Sequence, residues 1–266
     1  MIIMPRLSIL PIPLNRRVDP AHKMLSSIDE RTMLRRMKSI RPRLLTTLLL
    51  LLTGQSSWCA ETTHDFTKWE KEISAFEASD ATNPPAKGIL LFTGSMTIAN
   101  WKTLGHDFAG QPVLNRAFGG SEIVDATHFA DRMIYPYAPR KIFLRAGGNE
   151  LWAGKSPQQV FADFEDFVTH VHARLPAAEI AFISLSPSVA RWTQRDLEKA
   201  VNTMVADYVA KKPYLRYIET YDLPLGADGR PRPELFLADQ LHFSPACYRL
   251  LAERVRPFVT NTVSPK

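Results

Sequence analysis

The chain has 266 residues, 45% of them hydrophobic and 23% charged, a balance that suits a folded protein with a substantial core and excludes a largely disordered or low-complexity chain. The formal charge of +6 suggests a nucleic-acid partner, but ten of the 33 basic and only three of the 27 acidic side chains fall in residues 1–60. That leaves 23 basic against 24 acidic residues beyond position 60, so the basic footprint needed to hold phosphates is missing from the body of the protein.

The basic character belongs to a leader. Arg35, Arg36, Lys38, Arg41 and Arg43 precede an apolar run, Leu44 to Leu52, and small and polar residues follow from Gly54 to Ala60. This is the layout of a secretory signal peptide, assigned to residues 33–60, with the mature protein bound for the periplasm or the exterior. Nine residues are too few to cross a bilayer, which takes roughly 20, so no stable membrane span is expected. Trp58 blurs the cleavage point and argues against lipid attachment at Cys59. Residues 1–32 lie upstream of this signal and are read as a mis-called start, with Met33 the true initiator. Removal of Cys59 leaves Cys247 alone, and no intramolecular disulfide is then available.

Residues 61–85 are expected to form an N-terminal helix and linker. Phe66, Trp69, Ile73 and Phe76 keep a helical spacing over Asp65 to Phe76, and Asn83-Pro84-Pro85 breaks it. From residue 86 to 260 a single domain is expected, built from alternating apolar runs and helical patterns. Strands are predicted at Gly88–Thr93, Pro112–Ala117, Lys141–Arg145, Glu179–Ser184 and Leu215–Glu219. Helices are predicted at Ile98–Phe108, Ser121–Ile134, Ser156–Leu175, Thr193–Ala210 and Ser244–Val259, with Ser156-Pro157 a favourable helix start. Short apolar strands separated by helices define an α/β protein with a parallel sheet covered on both faces. Asp222 to Leu237 is a long loop rich in Pro and Gly, of the kind that often carries function.

Four segments fall beyond strand ends, where parallel sheets place ligands: Gly94-Ser95-Met96, Gly119-Gly120-Ser121, Gly148-Asn149-Glu150 and Asp239-Gln240-Leu241-His242. A carboxylate three residues before a histidine on a turn can fix the imidazole tautomer and stabilise its charged form. The Gly120 backbone N–H and the Asn149 amide can converge on a carbonyl oxygen that becomes negative. Taken singly, each has a plainer explanation. Asp239 and His242 would be polar loop residues, Gly119-Gly120 a tight turn with Ser121 capping a helix, and Asn149 a turn residue.

Read together and in order, the segments resemble the four blocks of the SGNH, or GDSL-type, hydrolases. The wider patterns Leu91-Phe-Thr-Gly-Ser95-Met96-Thr-Ile98, Asn115-Arg-Ala-Phe-Gly-Gly120, Ala146-Gly-Gly-Asn149-Glu-Leu151 and Leu237-Ala-Asp239-Gln-Leu-His242-Phe-Ser-Pro245 carry the likeness. Ala117 stands where the family usually has glycine, and Glu150 where it has aspartate. The resemblance implies a three-layer α/β/α, flavodoxin-like sheet of about five parallel strands. It implies attack of a serine on a carboxylic ester, with His242 as base, Asp239 orienting it, and Gly120 and Asn149 as oxyanion donors.

The first block departs from the pattern at the reacting atom. In the ungapped register Ser95 takes the Asp/Ser slot and Met96 takes the place of the nucleophilic serine. A thioether has no proton to give and forms no acyl-enzyme. Ser95 is the candidate nucleophile if the turn shifts by one residue, although adjacent side chains leaving a strand point to opposite faces. Thr97 is read as a helix-capping hydroxyl. Two readings therefore stay open: an ester hydrolase using Ser95, or a non-catalytic ligand-binding protein on the same fold. Substrates implied by the family are small esters, lipids or acylated sugars, with no cofactor and no metal, and oligomeric state is undetermined. His106, His128, His170 and His172 are read as scattered helix residues, and Trp192 beside Arg191 as a core or surface residue that could line a pocket. No phosphate-binding glycine loop and no G-x-S-x-G elbow is present.

Overall fold

A computed structural model describes residues 64–260. The expectations for the start codon, the export signal over 33–60 and Cys59 lie outside the described residues, as does the head of the 61–85 segment.

Thr67–Trp69 form a 3-10 turn that runs into α1 (Glu70–Thr82). The anticipated apolar spacing is the face that packs: Ile73 is buried, and Phe66, Trp69 and Phe76 rest partly buried against the same core. The helix runs past Phe76 and stops at Asn83, next to Pro84, where proline disfavours helical backbone in the preceding residue.

Five parallel strands follow: β1 (Leu90–Gly94), β2 (Val113–Asn115), β3 (Lys141–Arg145), β4 (Glu179–Ile183) and β5 (Leu215–Ile218). Their order in the sheet is β2-β1-β3-β4-β5. All five lie where the apolar runs predicted them. The second is shorter than expected, because the Asn115 side chain accepts the Ala117 N–H at 3.0 Å and turns the chain out of the ladder.

The helices differ more. The predicted Ile98–Phe108 helix is two short ones, α2 (Met96–Ala99) and α3 (Leu104–Asp107). Asp107 accepts from Trp101 Nε1 at 2.7 Å and Thr103 Oγ1 at 2.6 Å, which holds the turn between them. The predicted Ser121–Ile134 helix is likewise α4 (Ile123–His128) and α5 (Ala130–Met133). A short helix α6 (Gly148–Trp152) was not expected. The long helices α7 (Pro157–Arg174), α8 (Arg195–Val209) and α9 (Pro245–Thr260) agree closely with the pattern. Ser156 caps α7 reciprocally: Gln159 N donates to Ser156 Oγ, and Ser156 N to Gln159 Oε1.

Alternate residues of the strands feed two separate cores. Leu91, Ile142, Leu144, Ile180 and Phe182 pack with Phe164 and Phe167 of α7 and Val201 and Val205 of α8. Leu90, Phe92, Phe143, Ala181, Ile183 and Ile218 pack with Cys247, Leu251 and Val255 of α9. Both faces of the sheet are thus covered, giving the expected three layers. Cys247 is a free, buried thiol whose pKa burial pushes up to about 12, so it is inert at neutral pH. The strand order reverses direction between β1 and β3, the point where such sheets open a crevice at their carboxyl ends.

Candidate active site at the carboxyl ends of β1 and β3

The two central strands meet unusually closely at their tips. Gly94, the last residue of β1, pairs with Arg145, the last of β3. Its φ is +117°, and a Cβ there would lie 2.1 Å from the Arg145 carbonyl oxygen, so only glycine fits. Ser95 N then donates to that same carbonyl at 3.0 Å. Ser95 swings the chain from strand into α2, and its Oγ accepts a hydrogen bond from Asn149 Nδ2 at 2.8 Å. Asn149 Nδ2 also donates to the Ser121 carbonyl at 3.0 Å, while its Oδ1 accepts from Arg191 Nη1 at 3.1 Å. One amide therefore ties three of the four segments together.

The chain bends at Ser95, and both Ser95 and Met96 border the same cavity, with the Ser95 hydroxyl turned to Asn149. The Met96 thioether lies over Gly119, where a Cβ would meet Cε at 2.3 Å and Sδ at 2.8 Å. Thr97 lies inside α2, whose N-cap position is Ser95; its carbonyl accepts from the Tyr248 hydroxyl at 2.9 Å.

Gly120 has a φ of +83°, with Trp69 of the N-terminal segment close against it. Ser121 is not a helix cap. It is buried and donates to the Gly94 carbonyl at 3.0 Å and the Phe118 carbonyl at 2.9 Å. Glu122 caps α4 in its place, reciprocally with Asp125. Glu150 is fully buried and accepts the Ile123 N–H at 2.6 Å, so the longer acid still links the third segment to the helix after the second. Burial raises its pKa to about 7.

The fourth segment is a tight hairpin. Leu237 N donates to the His242 carbonyl at 2.8 Å, Gln240 N donates to the Leu237 carbonyl at 2.9 Å, and Gln240 adopts a left-handed φ of +55°. Asp239 serves as both turn residue and histidine partner. Its Oδ1 accepts the Leu241 and His242 N–H groups, each at 3.0 Å, and its Oδ2 lies 2.5 Å from His242 Nδ1. These bonds, led by the one to the imidazole, hold its pKa down at about 2. With Nδ1 engaged, Nε2 is the nitrogen left for a proton transfer. His242 borders the cavity with Ser95, Gly120 and Asn149. Among the described residues, the hydrogen bonds of its ring run to Asp239, and none joins it to Ser95.

The cavity has a volume of about 240 Å³. Besides the residues singled out from sequence, it is bordered by Arg145, Ser186, Arg191, Gln194 and Glu198, which sequence reasoning missed. Arg145 carried a usable signal, as a charged residue closing an otherwise buried strand. It donates to the Ser184 carbonyl, to Thr220 Oγ1 at 3.3 Å and to Ser186 Oγ at 2.8 Å. Burial lowers its pKa, with the Glu198 charge in partial opposition. Arg191 reaches the cavity, whereas its neighbour Trp192 stands outside it under Arg195 and Arg230. His106 and His170 are exposed, His128 stacks on Phe66 and His172 on Tyr214. Among the described residues, no group of three or more His, Cys, Asp and Glu is arranged to hold a metal ion.

Three parallel-sheet turns and a histidine hairpin converging at the β1/β3 crevice are the layout of an acylhydrolase of the GDSL class. Residues 93–250, more than half of the chain, match the GDSL-like lipase/acylhydrolase family, and the protein belongs to it. No curated protein matches the chain. Among solved structures, it is similar to a protein from Streptococcus pneumoniae provisionally described as platelet activating factor (17% identity, 82% of this chain and 100% of that one, TM-score 0.65). It is similar also to a Bacteroides fragilis protein provisionally described as an acylhydrolase (14% identity, 72% and 97%, TM-score 0.62). A GDSL-like lipase from Bacteroides thetaiotaomicron aligns at 14% identity over 73% and 97% of the two chains, with a TM-score of 0.56. At these identities the likeness is one of fold.

Proposed function

We propose that the protein is an exported hydrolase of small carboxylic esters, working slowly, with Ser95 as nucleophile. The observation that carries this reading is the Asp239–His242 pair, at 2.5 Å, bordering the same cavity as Ser95, Gly120 and Asn149. A base and its orienter have no use in a cavity that only binds.

In this reading Ser95 Oγ attacks the ester carbonyl carbon as His242 Nε2 takes its proton, and Asp239 stabilises the imidazolium that forms. The carbonyl oxygen becomes negative and accepts from Gly120 N–H and Asn149 Nδ2. His242 returns the proton to the departing alcohol, then deprotonates the water that frees the acid from Ser95. The first step requires Asn149 to release Ser95 Oγ and the hydroxyl to turn to His242. That rearrangement makes the enzyme slow. Export rests on the basic and apolar leader, and is tested by sequencing the N-terminus of protein recovered outside the cytoplasm.

A second reading, a ligand-binding protein without turnover, is favoured by Met96 in the nucleophile slot and by the hydrogen bond from Asn149 to Ser95. Labelling with a serine-reactive fluorophosphonate separates the two. A hydrolase gives an adduct on Ser95 that vanishes in His242→Ala. A binding protein gives no adduct, and hydrolyses p-nitrophenyl acetate only after Met96→Ser.

A further inference from the structure

The side chain assigned above as an oxyanion donor is itself held from a polar wall of the cavity, to which Arg145, Ser186, Arg191, Gln194 and Glu198 belong. Arg191 Nη1 donates to Asn149 Oδ1 at 3.1 Å and to the Gly148 carbonyl at 3.3 Å. It comes from the loop between β4 and α8, 42 positions further along the chain. That loop fixes it in turn. The Arg191 backbone N–H donates to Ser188 Oγ at 3.1 Å, and the guanidinium lies 4.9 Å over the Trp152 ring. Other arginines of the domain meet carboxylates: Arg116 with Asp80, Arg132 with Glu77, and Arg254 with Asp222. Arg191 instead directs this nitrogen at two neutral oxygens.

That choice has two consequences for Asn149. A guanidinium only donates, and the Ser121 carbonyl, which takes one Asn149 Nδ2 hydrogen at 3.0 Å, only accepts. A reversed amide would set oxygen against oxygen and N–H against N–H. The second Nδ2 hydrogen is therefore kept toward Ser95 Oγ, in the cavity. A cationic donor on Oδ1 also draws electron density from the amide and makes its N–H groups stronger donors. The guanidinium stays charged at any working pH. The same loop reaches the histidine hairpin, where Ala190 N donates to the Gln240 carbonyl at 2.9 Å.

We propose that Arg191 is a positioning residue for the oxyanion hole, acting through Asn149 by holding its amide nitrogen toward the ester carbonyl and strengthening that N–H. The inference rests on the cavity being the ester site proposed above. It adds to that site a residue from outside the four segments that resemble the family.

The test is a double-mutant cycle on the full chain with p-nitrophenyl acetate. Arg191→Met is expected to lower kcat about tenfold with KM within about twofold, and Arg191→Lys, which still donates a charged hydrogen bond, to recover most of the loss. In the Asn149→Ala background, Arg191→Met should cost less than about twofold, because the group it acts through is gone. Should Arg191→Met fail to fold, Arg191→Gln keeps a donor without the charge and is expected to lower kcat about threefold or more. An unchanged kcat, a change confined to KM, or equal losses in both backgrounds overturns the assignment. Nitrogen-15 NMR gives a readout free of turnover: the Asn149 side-chain amide signal, identified by its absence in Asn149→Ala, should shift in Arg191→Met and move back in Arg191→Lys. A parent that hydrolyses nothing while this signal responds would remove the hydrolase and keep the orienting contact. A signal that does not respond would remove the role of Arg191, whatever the parent hydrolyses.

Discussion

Asn149 commits both hydrogens of its side-chain amide to neighbours, one to Ser95 Oγ at 2.8 Å and one to the Ser121 carbonyl at 3.0 Å. In the proposed reaction, an arriving ester carbonyl competes with Ser95 for the first of these. Asn149→Ala is therefore expected to lower kcat/KM for p-nitrophenyl acetate by about 10²-fold, the lower end of what a lost oxyanion donor costs. It should also reduce thermal stability, since the three segments it joins lose their shared contact. Unchanged kcat/KM with a lowered melting temperature would make Asn149 purely structural.

Met96→Ser puts a hydroxyl in the slot that the sequence resemblance assigns to the nucleophile. In the proposed reaction Ser95 must first be released by Asn149, so a hydroxyl at position 96 free of that bond is expected to raise p-nitrophenyl acetate hydrolysis on the order of 10²-fold over the parent. The Met96 thioether now covers Gly119, and shortening it should cost about 1 kcal/mol by urea unfolding. A rate no higher than the parent's would mean that position 96 does not present its side chain to the ester.

Glu150 makes stability fall as pH rises. Its folded-state pKa of about 7 lies above the ordinary 4.5, so the folded protein holds this proton more tightly than the unfolded chain does. Stability is fully present below pH 4.5 and is lost as pH rises through about 7, by roughly 2 kcal/mol between pH 5 and 8. Glu150→Gln keeps an acceptor for the Ile123 N–H and should flatten that dependence. Urea unfolding of both proteins at pH 5, 6.5 and 8 gives the comparison, and parallel curves would refute it.

Gly94→Ala is expected to be severe. The new methyl would meet the Arg145 carbonyl at 2.1 Å with φ at +117°, and neither strand can retreat without breaking the sheet. A loss of about 3 kcal/mol or more is expected in urea unfolding, with ester hydrolysis falling as Ser95 shifts. A melting temperature within two or three degrees of the parent's, about 1 kcal/mol, would show that the strand tips are looser than drawn.

Sequence patterns located the sheet because short apolar runs such as Ile142-Phe143-Leu144, set between helical patterns, are buried on both faces. They failed where side-chain bonds override propensity. Asp107 draws in Trp101 and Thr103 and divides one expected helix into α2 and α3. The Asp239–His242 pair was legible from spacing, since three residues on a turn bring the groups together. The polar wall was not legible. Arg145 and Glu198 lie 53 positions apart, and only the folding of β3 beside the start of α8 makes them neighbours. The placement of Met96 over Gly119 was equally hidden, because it depends on how Ser95 bends the chain.

Trp69 lies outside the stretch that matches the family, yet it rests on Gly120 and against Phe118, at 5.3 Å between ring centroids. At the other end, Val255 and Val259 are buried beyond residue 250. A fragment trimmed to the family's borders would therefore lose the indole that backs the second turn and uncover one layer of the domain. Expression should begin before His64 and continue through α9, because the packed core reaches past the homologous segment at both ends.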